Sequence, residues 1–222
     1  MKKKIIDAFK EPFKDQESRL NLLIGGVITF FPIINFVSFG FLGKKLENSI
    51  EQKKIPVKWD ENIKEFFIKG FKIFIICLSY LLLPVLLAFL GGFFILTLAE
   101  GKIFSLFYFR GQILNIIATL LFLTSLYFIP FAVCMFLESG DIKKSFDLQE
   151  NISRISLIPQ EYLVIFGLSI SLIVVSAVIL FFLMNWTFSI LLWGFIIFYD
   201  SLVITNLLSK FFPRKSISIN IN

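Results

Sequence analysis

The 222 residues are 57% hydrophobic and only 17% charged, and 30 of them are phenylalanine; a soluble domain would be about half apolar and about a quarter charged. The absence of histidine excludes Ser-His and Cys-His nucleophiles and histidine-ligated metal sites. The net charge of +6 falls as lysines beside apolar runs, so the expected partner is a lipid bilayer with anionic headgroups, and not nucleic acid.

The length fits one integral membrane domain, taken as residues 1–215 with a short tail at 216–222. Residues 1–19 place Ile5, Ile6, Phe9 and Phe13 at helical spacing between lysines, the pattern of a short helix lying on a membrane surface. No small-residue cleavage site follows, so a signal peptide is not expected. Residues 20–42 are apolar and long enough to span, but Gly25, Gly26, Pro32, Asn35 and Gly40 interrupt them.

The polar stretch 43–70 carries both signs of charge. Within it Pro56, Trp59 and Asp60 form a candidate interfacial anchor, with Asp60 as the N-cap of a helix marked by Ile63, Phe66, Phe67, Phe71 and Phe74. Residues 71–98 form a span with a tilt or kink expected at Pro84. An interfacial turn is expected at 99–111, where Glu100, Lys102 and Arg110 lie among aromatics. A span over 112–137 follows. The polar segment 138–161 holds a weakly amphipathic pattern of Ile142, Phe146, Ile152 and Ile155. Spans over 162–183 and 188–208 close the chain, joined by a tight turn at 184–187.

The fold expected is therefore all-α: a polytopic transmembrane bundle with four clear spans, plus an N-terminal re-entrant hairpin or fifth span. The basic residues favour the hairpin. If residues 20–42 turn back near Pro32, twenty of the 22 lysines and arginines share one side; if they cross, the division is fourteen to eight. The basic side, with both termini, is read as cytoplasmic in a cell membrane.

Several motifs carry a resemblance. Gly40-Phe41 precedes Lys44-Lys45, the box Ile55-Pro56-Val57-Lys58-Trp59-Asp60 follows, and Phe67 leads through Gly70 into a span. Ser145-Phe146-Asp147-Leu148 and Glu161-Tyr162-Leu163 form a second element. In this order the chain resembles a prokaryotic membrane family known as domain of unknown function 4013. The family's Gly-Tyr is Gly40-Phe41 here, and Val57-Lys58 stand where its box has one acidic residue. The resemblance implies a multi-span membrane protein and no activity.

Candidate chemistry is sparse. Asp200 is the one acid within an expected span, with Tyr199, Ser201, Thr205 and Asn206 nearby, and intramembrane charge often marks a solute or proton path. Asn35 and Asn115 are candidates for bonds between helices. Cys77 and Cys134 lie in apolar runs and read as small buried hydrophobes. No cofactor, metal site or enzymatic constellation is expected. Two functions survive: a scaffold, lipid-interacting or accessory membrane subunit, with an unidentified protein partner allowed, and alternatively a small transporter or permease component. A dry bundle interior favours the first and a polar intramembrane lining the second.

Overall fold

The computed structural model describes residues 1–53, 55–59, 62–97, 104–183 and 189–212. Among these the chain is all-helical: α1 Lys2–Lys10, α2 Gln16–Phe30, α3 Asn35–Ile50, α4 Ile63–Thr97, α5 Phe104–Ser139, α6 Leu148–Ile155, α7 Pro159–Leu183 and α8 Ser189–Phe211. Short 3₁₀ turns at Glu11–Phe13 and Ile142–Phe146 link α1 to α2 and α5 to α6. Four helices are long and apolar enough to cross a membrane, over Ile63–Ile95, Tyr108–Ser139, Pro159–Phe182 and Leu192–Phe211. The protein is a multi-pass membrane protein.

No single helix covers residues 20–42. Phe31, the residue before Pro32, takes an extended conformation (φ −91°, ψ 116°) and ends α2. The proline ring disfavours helical backbone in the residue before it, so the break falls where Pro32 dictates. The chain then turns back into α3. Ser38 Oγ donates to the Gly25 carbonyl at 3.4 Å, so α2 and α3 run side by side as a hairpin. At 15 residues α2 is about 22 Å long, short of a hydrocarbon core of about 30 Å. The hairpin packs along α8, where a methyl group at Gly194 would meet the Gly26 carbonyl oxygen at 2.3 Å. α2 is thus held against protein helix on helix, while the tip residues Phe31, Ile33 and Ile34 stay exposed.

The hairpin returns both its ends to one polar face. Lys45 of α3 pairs with Glu11 at 3.1 Å, and Lys210 at the end of α8 reaches the same carboxylate at 3.7 Å. Asn206 donates to the Ala8 carbonyl at 3.4 Å, joining α8 to α1. The start of α4 joins through Lys69–Glu47 at 2.5 Å, and the end of α5 joins α6 through Arg154–Glu138 at 2.6 Å. With Arg154 also over the Phe212 ring after α8, the N-terminal segment, the end of α3, the start of α4, the 140–158 connection and the end of α8 share one face.

Three expectations need correction. First, Asn62 caps α4, its Oδ1 accepting from the Glu65 amide at 3.3 Å. The helix begins at Ile63, so the residue just before it takes the cap; Asp60 itself lies outside the described residues. Second, the 99–111 turn is shorter than expected, because α5 is already helical from Phe104. Gly111 does not break it; this glycine sits against the Gly91 carbonyl oxygen, where α4 and α5 touch. Glu100 and Lys102, like the 184–187 connection and the 216–222 tail, lie outside the described residues. Third, α1 does not merely rest on lipid. Ala8 is fully buried and Ile5 and Phe9 pack on the main core with Val203, Leu207 and Leu208, while Ile6 and Phe13 stay exposed. α4 continues as a helix through Pro84 and α5 through Pro130.

Candidate functional site

The residues that carry chemistry gather at the polar face. Glu47 is the hub of a network with Lys44 at 3.0 Å and Lys69 at 2.5 Å, and both lysines also approach Glu65. Burial raises the Glu47 pKa, but the two lysines outweigh that effect and hold the carboxyl below its ordinary value. Across the face, Arg154 is buried and grips Glu138 of α5 and Glu150 one turn earlier on α6, with the Phe212 ring 5.5 Å from the guanidinium. Between the start of α2, the end of α3 and Pro56–Val57 lies a cleft of about 620 Å³, lined by Glu11, Lys14, Asp15, Lys45, Asn48 and Lys53 among others. Asp15 caps α2, and the Ser18 backbone amide, 2.7 Å away, lowers its pKa.

The sequence motifs converge beneath this face. Gly40 and Gly70 mark the crossing of α3 and α4: a Cβ on Gly40 would lie 1.7 Å from the Phe66 carbonyl oxygen, and one on Gly70 would lie 1.8 Å from that of Phe36. Phe41 stacks flat on Trp59, with ring centroids 3.9 Å apart and planes within 4°. Val57, Phe66, Phe198 and Leu202 complete this second core. The Trp59 ring thus packs inward; its indole nitrogen is buried and meets no acceptor among the described residues. The stack uses only the ring at position 41, which is why phenylalanine serves where the resembled family has tyrosine. Pro56 lines the polar cleft beside it.

The second element is structural in the same sense. The buried Ser145 carbonyl accepts from Tyr80 Oη at 2.7 Å and from Asn151 Nδ2 at 3.2 Å, and Phe146 stacks on Tyr80. The Tyr162 hydroxyl donates to the Tyr127 carbonyl, and its ring meets Phe131 edge-on, clasping α7 to α5. Gly40, Phe41, Trp59, Gly70, Ser145, Phe146 and Tyr162 of the motifs are packing positions, whereas Ile55, Leu148 and Leu163 are exposed. A family model described as protein of unknown function (DUF4013) matches residues 23–185. The chain belongs to the DUF4013 family. No curated protein and no solved structure gives a significant match. In this DUF4013 chain α8 lies beyond the matched residues; its Phe198 and Leu202 complete the second core that the matched region begins, while Asn206 and Lys210 meet Ala8 and Glu11, which also lie outside the match.

The four polar residues singled out within apolar segments do not meet. Asp200 is 7% exposed at mid-span on α8, with Ser176 of α7 beside its carboxylate and Oδ1 without a partner among the described residues. Asn206 faces α1 instead. Asn115 of α5 lies against Gly91 of α4, where a Cβ would come within 2.5 Å of its Oδ1. Asn35 opens α3 at the hairpin tip.

The central intramembrane cleft holds about 390 Å³ and takes its walls from α3, α4, α5, α7 and α8. Neither Asp200 nor any of the three asparagines lines it. Two of its three hydroxyls are turned to their own helices, Ser169 to the Ile165 carbonyl and Thr205 to the Ser201 carbonyl, and Ser201 supplies the third. Sequence reasoning missed this cleft, the Gly40–Gly70 crossing and the Arg154 clamp. Arg154 and Glu150 stand at helical i,i+4 spacing, a legible signal; Glu138 is brought in only by the turn between helices.

Proposed function

We propose that this DUF4013 protein is a non-enzymatic membrane scaffold or accessory subunit that works through lipid contact, with its polar face turned to the cytoplasm and to anionic headgroups. The observation that carries the reading is the division of polarity. Ion pairs gather at one end of the bundle, while the cleft between the spans is walled mainly by aliphatic and aromatic side chains, with Ser169, Ser201 and Thr205 its hydroxyls and no charged residue in its lining. A solute path needs polar groups facing one another at depth, and such groups are costly in lipid unless used. The excess of lysine on the polar face fits both the positive-inside rule and attraction to an anionic leaflet.

The test is reconstitution in vesicles with and without anionic lipid. Thermal stability of the protein should rise with anionic lipid and fall back in salt, and ion or proton flux should stay at the protein-free level. Stability indifferent to headgroup charge would refute the lipid reading.

The alternative, a small transporter or permease component, draws on Asp200, whose Oδ1 is buried without a partner among the described residues. Asp200→Asn distinguishes the two. On the scaffold reading the change alters stability modestly and moves no flux; loss of a measurable wild-type flux in the folded variant would establish the transporter.

A further inference from the structure

The spans part company below the polar face. α5 and α7 are clasped near that face by Tyr127, Phe131, Tyr162 and Phe166. Further along, α4 keeps company with α5 through Gly91 and Gly111, and α7 with α8 through Ser176 and Asp200. The cleft of about 390 Å³ is the space left between these pairs. Its walls include Leu46, Ile73 and Leu208 toward the polar face and Phe39, Leu126 and Ile173 at greater depth. Ile73, Leu46 and Leu208 are buried and close the polar end, whereas Ile173 is 53% exposed at the deep end. The opening therefore faces the interior of the bilayer and not the aqueous phase.

Protein interiors leave few voids larger than a water molecule. This one offers water few partners, since an ordered water needs two to four polar groups, Ser169 and Thr205 are already bonded within their helices, and only the Ser201 hydroxyl is left among the described lining residues. An apolar cavity of about 150 Å³ is enough to take up benzene, and this cleft is more than twice that size. The matter at its mouth is hydrocarbon.

We propose that the cleft holds one hydrocarbon chain of a bilayer phospholipid, retained by the wall of α3, α4, α5, α7 and α8 as a fixed part of the fold. The chain enters between α5 and α7 past Ile173 and lies along Leu126, Ile129 and Ile204. It fills the gap that the aromatic clasp leaves, so the lipid acts as packing between the α4–α5 pair and the α7–α8 pair. The proposal specifies the lipid-interacting reading above, but it concerns the chain where that reading concerns the headgroup, so each can fail alone.

The experiment uses the full-length protein in vesicles containing a phosphatidylglycerol or a phosphatidylcholine with a photoactivatable diazirine in mid-chain. After photolysis, detergent exchange and proteolysis, covalent adducts should map to Leu126, Ile129 and Ile204, positions inside the cleft, with either headgroup. Adducts confined to outward residues such as Phe89 and Phe182 would overturn the proposal. In a second arm, native mass spectrometry of detergent-exchanged protein should find a stoichiometric phospholipid on the wild type and on Phe89→Trp, and should find it lost from Ile173→Trp. Equal retention by Ile173→Trp, or none by the wild type, would also overturn it. The labelling arm needs only the wild-type chain, so a variant that fails to fold does not remove the test. Headgroup-dependent stability without cleft adducts would sink this proposal and leave the scaffold reading standing; cleft adducts without headgroup dependence would do the reverse.

Discussion

Replacing Gly40 by alanine should be among the most damaging single changes in the protein. The added methyl would stand 1.7 Å from the Phe66 carbonyl oxygen and 2.4 Å from its carbon, where ordinary contact begins at 3.4 Å. Both obstacles are helical backbone, so no rotamer change relieves the clash. α3 and α4 must separate by roughly 1.7 Å, which lifts Gly70 from the Phe36 carbonyl and strains the Phe41–Trp59 stack. Overpacking usually costs about 1–3 kcal/mol, and a backbone obstacle places this case at the upper end, about 3 kcal/mol. Gly92 is the control, since a Cβ there meets nothing within 4 Å among the described residues. The same substitution at Gly92 should gain up to about 1 kcal/mol of helix propensity. The two variants should thus differ by about 4 kcal/mol, roughly a thousandfold in the folded ratio. Unfolding in mixed micelles of increasing sodium dodecyl sulfate, followed by far-ultraviolet circular dichroism, measures the difference. Equal midpoints for Gly40→Ala and Gly92→Ala would refute the close crossing of α3 and α4.

Other outcomes follow from the polar face. Arg154→Ala should cost about 3–5 kcal/mol by stranding Glu138, while the paired change Arg154→Met with Glu138→Gln should cost less, because the remaining Glu150 keeps Lys144 at 3.5 Å; the same micelle titration reads both. Asp15 has its folded pKa depressed below 3.8, so its support of α2 is complete above that value and is lost as pH falls through the lower, folded pKa. Protection of the Ser18 amide, its exchange rate relative to an unstructured peptide at the same pH, should fall over that acidic window in the wild type and be low throughout in Asp15→Ala. Cysteines placed singly at Lys3 and Lys53 should respond alike to an impermeant thiol reagent, both protected in sealed cells if the polar face is cytoplasmic. Labelling of both would reverse the orientation, and labelling of only one would show that residues 20–42 cross.

The sequence determines the membrane spans because lipid imposes a simple rule: about twenty apolar residues in a helix, with every backbone group satisfied within it. Apolar runs and Pro32 are local signals, so the four spans and the break at Phe31 could be read from residue order alone. The choice of hairpin over fifth span was already weighted by lysine distribution. Tertiary structure decided the rest. Trp59 lies well apart in sequence from Phe41, and nothing local says that the two rings stack. Gly40 and Gly70 read singly as helix-weakening residues; only the crossing of their helices makes them contact points. Asp200, Asn206, Asn115 and Asn35 share a polar character but not a location: on α8 Asp200 faces α7 and Asn206 faces α1, Asn115 faces α4, and Asn35 stands at the hairpin tip. In a chain so uniformly apolar, hydrophobic pattern cannot tell a lipid-facing side from a packed one. Small residues, ion pairs and ring contacts between distant segments make that distinction, and they exist only once the helices have docked.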